Sequence, residues 1–291
     1  MAIRQALVWP PIYDPKNRRV KGFYPETVTL RKGNFGKLLE HLAAASYYPQ
    51  ATRISIRVIL ERELLDIFAA ENYHIEASFP IRAFPNCEVA YVSFNKPERI
   101  GRKSDVEIAK LIDRHRKIET RILEKLASKY CIFYINSFTD ATAQEILEFF
   151  SSRFLDYPID LTLEKIKCMP NDHIVYIAKD HFGKLVATFM VDIASVEIED
   201  KPLTFLDFVN VVSEKDGLIL IPLMAQDVAR RANNYPNPII YAEARSDVAA
   251  LQVCCIRAGM QYAGTLSASS LFWDNGENRA EFRDTQVWHV P

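Results

Sequence analysis

The chain has 291 residues, about half apolar and a quarter charged, enough for two ordinary domains and a sizeable core. Its 36 basic and 37 acidic residues nearly cancel, so nothing in the charge asks for nucleic acid or an anionic membrane. The run near Arg4 is too short for a signal peptide and no segment is long enough to span a membrane, so a soluble cytoplasmic protein is expected.

Gln5 to Trp9 reads as a short strand, halted by Pro10 and Pro11. Asp14-Pro-Lys-Asn17 reads as a hairpin turn, with Arg19 to Tyr24 as the returning strand. Asn34 stands as the N-cap of a helix marked by Phe35, Leu38, Leu39 and Leu42. Arg53 to Ile59 alternates polar and apolar and reads as a half-buried strand. A helix over Glu61 to Ala70 and strands at Tyr73 to Phe79 and Glu88 to Phe94 follow. Residues 1–100 are thus expected to form a smaller α/β domain.

Ser104 and Glu107 have capping-box spacing. Ile108, Leu111, Ile112, Ile118, Ile122 and Leu126 predict one amphipathic helix connecting the two blocks over 101–129. Its bases alternate with acids and no stacking aromatics accompany them, so this face reads as solvated rather than as a nucleic-acid surface.

Residues 130–291 form the second block. Cys131 to Ile135 is a strand, Thr139-Asp140 caps a helix, and a short helix follows Tyr157-Pro158. His173 to Ala178, the turn Asp180-His-Phe-Gly183 and Leu185 to Asp192 make a hairpin. Leu203 to Val212 is an apolar strand interrupted by Asp207. A polar loop, a helix, the strand Pro238 to Ala244, a second helix and the strand from Gly259 to Leu266 come next. Ser270 to Trp273 and Thr285 to Val290 read as a closing β-ribbon turned at Asp274-Asn-Gly276.

Cys87, Cys131, Cys168, Cys254 and Cys255 are odd in number and lack C-x-x-C spacing, so they read as buried small side chains and not as metal ligands. Walker loops, G-x-G-x-x-G, G-x-S-x-G and H-E-x-x-H are absent. His173 and His181 flank a hairpin and read as surface imidazoles, and His289 reads as structural. Asp207 is either a catalytic candidate or an acid at a strand end bonded to backbone, because a buried acid inside an apolar strand needs a partner. Glu243, on the neighbouring strand, is a candidate for holding an ammonium or for pairing with Arg245.

Several stretches of the chain resemble the GNAT acyltransferase superfamily, and most of all its β-lysine N-acetyltransferase family. They are Asp14-Pro15 to Val20, Ala70-Glu-Asn-Tyr73, Asp156-Tyr-Pro-Ile159, Ile174-Val-Tyr-Ile177, Gly183 to Ala187, Asp207-Phe208, Ala244-Arg245, Gly259 to Leu266 and Val287-Trp288. The resemblance implies a mixed twisted sheet with flanking helices, preceded by the smaller α/β domain. It also implies transfer of an acetyl group from acetyl-CoA, or another acyl-CoA, to the amine of a small amino acid or similar metabolite, without a metal. A carboxylate takes the proton, and backbone N–H groups of a glycine-rich loop and helix start hold the pyrophosphate.

Carried onto this chain, the resemblance makes Asp207 and Glu243 catalytic candidates. Cys255 falls where the family has its general-acid tyrosine. Val211, Val212, Lys215 and Gly217 become the donor-binding residues, and Asn210, Arg245 and Tyr262 the acceptor-binding ones. The chain departs from the family at that loop. Lys215-Asp-Gly-Leu218 stands where Arg-Gly-x-Gly is usual, so only Gly217 remains. Glu214 and Asp216 are expected to cost on the order of a few kcal/mol each beside a bound anion, and Pro222 to delay the helix start. Two alternatives stay open: another donor such as an aminoacyl-tRNA, or a non-catalytic binding or partner subunit. A homodimer is also open.

Overall fold

Turn chemistry opens the computed structural model, which describes residues 9–29, 33–68, 72–102, 107–151, 162–169, 173–274 and 279–291. After β1 (Ile12–Asp14), the Asp14 carboxylate accepts from the Asn17 backbone N–H at 3.2 Å and from its side-chain amide at 2.9 Å. This side-chain-braced turn sends the chain back as β2 (Arg19–Val28). Helix α1 (Asn34–Ser46) then crosses over to β3 (Arg53–Glu61), which runs parallel to β2. Asn34 is inside this helix rather than its N-cap: Gly33 precedes it in the left-handed region, and the Asn34 side-chain amide donates to the Thr27 carbonyl at 3.1 Å. In place of the helix expected after β3 stand a 3-10 turn at Arg62–Leu64 and turns up to Phe68, with residues 69–71 outside the described part. Strands β4 (His74–Pro80) and β5 (Cys87–Asn95) complete the first half, followed by the short β6 (Gly101–Arg102).

The single connecting helix expected over 101–129 is instead two, α2 (Ile108–Arg114) and α3 (Thr120–Leu126). Tertiary hydrogen bonds replace the helical ladder between them. The Ile118 N–H donates to the Arg257 carbonyl at 3.0 Å, and the Ile118 carbonyl accepts from the Gln226 amide at 2.7 Å. Ser104, of the expected capping box, lies outside the described residues.

The second half follows the sequence reading closely: β7 (Cys131–Ile135), α4 (Asp140–Ser151), α5 (Leu163–Cys168), β8 (His173–Lys179), β9 (Leu185–Ile198), β10 (Lys201–Ser213), α6 (Gly217–Arg231), β11 (Pro238–Arg245), α7 (Ala249–Ala258), β12 (Gln261–Asp274) and β13 (Arg279–His289). Thr139 caps α4 as expected, its hydroxyl accepting the Thr142 N–H at 3.2 Å. The expected turn residues Asn275 and Gly276 lie outside the described part, as do Gln5 to Val8 and Tyr157-Pro158.

Among the described residues the strands form one mixed sheet, in the order β1-β2-β3-β5-β4-β12-β13-β11-β10-β9-β8-β7, with β6 against β13. The two halves repeat one connectivity. An antiparallel pair (β1–β2, β9–β10) leads through a helix (α1, α6) to a parallel neighbour (β3, β11). A further strand pair then adds in reversed order (β5-β4, β13-β12). The halves meet strand to strand where β4 pairs with β12, at Ala77 and Gly264.

Helices cover the outer faces. α1 packs on Ile54, Ile56, Val58 and Leu60 of the first half, and α3, α6 and α7 pack on Leu206, Phe208, Ala242 and Ala244 of the second. The opposite faces carry no helix there and meet each other: Phe23, Phe79 and Tyr91 lie against Phe205, Tyr241, Leu266 and Val287. The Phe23 and Phe205 rings are edge to face at 5.1 Å. Among the described residues no helix is long and apolar enough to cross a membrane.

Candidate active site

The site begins with a fault in a strand. β10 and β11 run parallel in register from Thr204↔Pro238 to Phe208↔Ala242 and then part. At that point β10 carries a bulge, because Phe208 faces Val191 while Asn210, two residues on, faces Met190. Val209 is the extra residue and is exposed. Past it β10 follows β9, and β11 follows β13. Val211 packs towards the α6 face and Val212 towards the α4–α5 face, so the strand is held on both sides as it leaves its partner. A wedge-shaped opening results, at the end where the loop to α6 begins.

Asp207 lies one residue before the parting point. Cross-strand pairing puts it in a single row with His173, Asp192, Tyr241 and His289, on one face of the sheet. Glu243, two residues beyond Tyr241, shares that face. Burial first, and then the Glu243 charge, push the Asp207 carboxyl up to about 7, against the opposing pull of Arg57 and of a hydrogen bond from Tyr241. A carboxyl held near neutrality is able to take up or give a proton near neutral pH. His173 is not a surface imidazole: its Nδ1 lies 3.1 Å from the Met169 carbonyl and its Nε2 3.8 Å from Asp192. His289 is buried and stacks on Phe79 at 4.9 Å, and burial lowers its pKa.

The first half supplies the other wall. The Arg57 guanidinium donates to the Tyr241 hydroxyl and lies over the Tyr241 and Tyr91 rings, 5.2 and 5.9 Å from their centroids. The Tyr91 hydroxyl donates to Glu243 Oε1 at 3.1 Å. Lys21 lies 3.6 Å from Asp14. Its pKa is pushed down to about 8, by burial first and then Arg19, while Asp14 and Glu243 pull it back up. None of Lys21, Arg57, Tyr91 and Tyr241 was marked by the sequence. The signal available was the polar side of β3, Arg53-Ser55-Arg57, which alternation assigns to solvent. In the structure that side faces protein: Arg53 is buried and bonds to Asn95 Oδ1 at 2.8 Å and to the Ser267 carbonyl at 3.0 Å.

The remaining expected residues scatter. Arg245 makes a two-point ion pair with Asp247, at 3.0 and 2.8 Å, rather than the pair with Glu243 weighed from the sequence. The Tyr262 hydroxyl bonds to Thr265 Oγ1 at 2.6 Å, with its ring edge-on to Trp288. Asn210 pairs with Met190 across the bulge, and its side chain lies outside the described part. Cys255 is buried in the core between α6, α7 and the sheet, and burial pushes its thiol pKa up.

The loop after β10 differs from the electrostatic expectation. Its acids are engaged sideways: Glu214 with Lys184 at 3.0 Å, and Asp216 with Lys129 at 2.7 Å and the Tyr130 hydroxyl at 2.8 Å. Lys215 stands exposed beside them, where its charge also acts on Asp180. Pro222 does not delay the helix either. α6 starts at Gly217, directly after Asp216 in the left-handed region, and runs through the proline. Proline's missing N–H frees the Leu218 carbonyl, which accepts from Arg257 Nη1 at 2.8 Å. A Cβ at Gly217 would lie 3.0 Å from Ser213 Cβ, a tight contact that a shift of a few tenths of an ångström would have to relieve.

Among the described residues no group of three or more His, Cys, Asp or Glu side chains is placed to hold a metal ion. No family model matches the sequence, and no curated protein is significantly similar to it. Solved structures similar to it include Arabidopsis thaliana NAA60 in complex with acetyl-CoA, at 12% identity and TM-score 0.41, over 55% of this chain and 97% of that one. A variant of the spermidine N-acetyltransferase SpeG from Vibrio cholerae matches at 11% identity and TM-score 0.40, over 56% and 94%. An N-acetyltransferase from Staphylococcus aureus Mu50 matches at 19% and 0.39, over 55% and 96%.

Proposed function

We propose that the chain is a GNAT-type N-acyltransferase, nearest in character to the β-lysine N-acetyltransferases. In this reading it acylates the amine of a small amino acid or similar metabolite, with acetyl-CoA or another acyl-CoA as donor. The observation that supports it is the half-buried Asp207 beside Glu243, with the Asp207 carboxyl near neutrality, at the point where β10 and β11 part.

The acceptor arrives as an ammonium and is drawn to the two carboxylates. Asp207 takes its proton, and Glu243, fixed by the Tyr91 hydroxyl, helps to hold the amine in place. Acyl-CoA, when bound, supplies the activated carbonyl. Val211, Val212, Lys215 and Gly217 line the path it would take from the wedge to the start of α6. There the first-turn N–H groups and the helix dipole favour an anion. The engaged state of Glu214 and Asp216 supports this placement. Asp207→Asn is expected to lower transfer at least about 100-fold, and acetyl-CoA to raise the melting temperature of both wild type and variant. No thermal shift at millimolar acetyl-CoA, together with no transfer to any amine, would sink the reading.

The loop's missing second glycine favours a second reading, in which the donor is not a CoA ester. Aminoacyl-tRNA binding that falls steeply with salt, without acetyl-CoA binding, would support another donor. Stable co-purification with an enzyme, without transfer, would support a partner subunit.

A further inference from the structure

We infer that Arg57 of β3 is a positioning residue for Asp207 of β10, acting through the Tyr241 hydroxyl, so that the first half of the chain sets the protonation of the base it encloses. This rests on the reading of Asp207 as that base. Three observations carry it. The Arg57 guanidinium donates to the Tyr241 oxygen, so the tyrosine's own proton is turned towards Asp207, which it hydrogen-bonds. Arg57 is confined by the Tyr91 and Tyr241 rings, which fix where the cation sits. Tyr91, from β5 of the same half, makes the matching contact to Glu243 at 3.1 Å. Each carboxylate is therefore met by one tyrosine hydroxyl, and one arginine lies over both rings.

The repeated connectivity explains how this arises. β3 is the counterpart of β11, and the helix-free faces of the two halves are turned to each other. An arginine on the central parallel strand of one half thus falls on the acids of the other. The groups facing Asp207 are Asp192 from β9, Tyr241 and Glu243 from β11, and Arg57 from β3. Tyr91 from β5 interacts with both Asp207 and Glu243, and Lys21 from β2 reaches Asp207 at one remove, through Glu243. His173 and His289 stand further along the same row. Among those acting directly on Asp207, Arg57 is the cation.

The test uses the whole chain as wild type, Arg57→Met, Arg57→Lys, Tyr241→Phe and Asp207→Asn. The first readout is the acid limb of kcat/KM for acetyl transfer. The second is independent of turnover: the carboxyl titration of Asp207 by NMR in protein with 13C-labelled aspartate carboxyls. The Asp207 signal is the one missing from Asp207→Asn. Arg57→Met and Tyr241→Phe are both expected to move the acid limb and the Asp207 titration up, by about one pH unit or more for the arginine. Arg57→Lys should return them most of the way. An Asp207 titration that stays at the wild-type value in Arg57→Met, or in Tyr241→Phe should Arg57→Met not fold, overturns the inference. If wild type transfers no acyl group, the proposed function fails, and the titration alone still decides whether Arg57 governs Asp207.

Discussion

At the scale of single residues, the burial that raises the Asp207 carboxyl also taxes stability. Its pKa is raised from the ordinary value near 3.8 to about 7 in the folded chain. The folded state therefore holds a proton between those values that the unfolded state has released. The stability from this group is present below about pH 4 and is lost as pH rises through 7. Asp207→Asn removes that loss. Relative to wild type, the variant should gain up to a few kcal/mol more at pH 8.5 than at pH 5, read from denaturation midpoints at the two pH values. A constant difference between variant and wild type would show that the carboxyl titrates normally. Lys21 has the opposite sign. Its folded pKa is depressed to about 8, so its contribution is unfavourable below that value and the handicap fades as pH rises towards 10.5.

At the scale of elements, α6 offers a compact test of how a proline is carried inside a helix. The Leu218 carbonyl released by Pro222 is taken up by Arg257 of α7, which links the two helices flanking the proposed donor path. Arg257→Met should cost about 1–2 kcal/mol of unfolding free energy. In a Pro222→Ala background the cost should shrink, because a backbone N–H is again available to Leu218. A double-mutant cycle measures the coupling, and simple additivity would argue against this role for Arg257. No local pattern announces such a contact. That is why the sequence reads the second half's strands and helices well but misjudges where α6 starts. Periodicity and turn residues are local properties, and they recover β8 to β13, α4 and α7. The break between α2 and α3 depends on Gln226 and Arg257, more than a hundred residues away. The candidate site divides in the same way. Asp207 and Glu243 are legible because each is an acid among apolar neighbours. Arg57 and Tyr91 are not, since a strand that alternates polar and apolar does not say whether its polar side meets water or another sheet.

Across the whole molecule, the join between the halves concentrates at Gly264. Its φ of +150° and the approach of β4 leave no room for a side chain, since a Cβ would lie 2.2 Å from the Glu76 carbonyl oxygen. Gly264→Ala should therefore cost several kcal/mol, seen as a lower denaturation midpoint. A near-neutral effect would mean that β4 and β12 are not held at this distance. Arginines reinforce the join. Arg99 donates to the Ala268 and Ser269 carbonyls at 2.7 and 3.1 Å and also to the Asn17 carbonyl at 2.9 Å. Residues 130–291 expressed alone would bare Phe205, Tyr241, Ile239 and Val287 and should aggregate. The meeting of the two helix-free faces also gives the protein a built-in indicator of its own assembly. Burial is the largest cause of the raised Asp207 carboxyl, and the first half completes that burial when it closes over the residue. During refolding at pH 5.5 the closing step should draw up to one proton per chain from the medium through this residue. A pH dye in weakly buffered stopped-flow would then time the docking of the halves separately from the formation of their strands, and Asp207→Asn should erase that signal while leaving the strand signal in place.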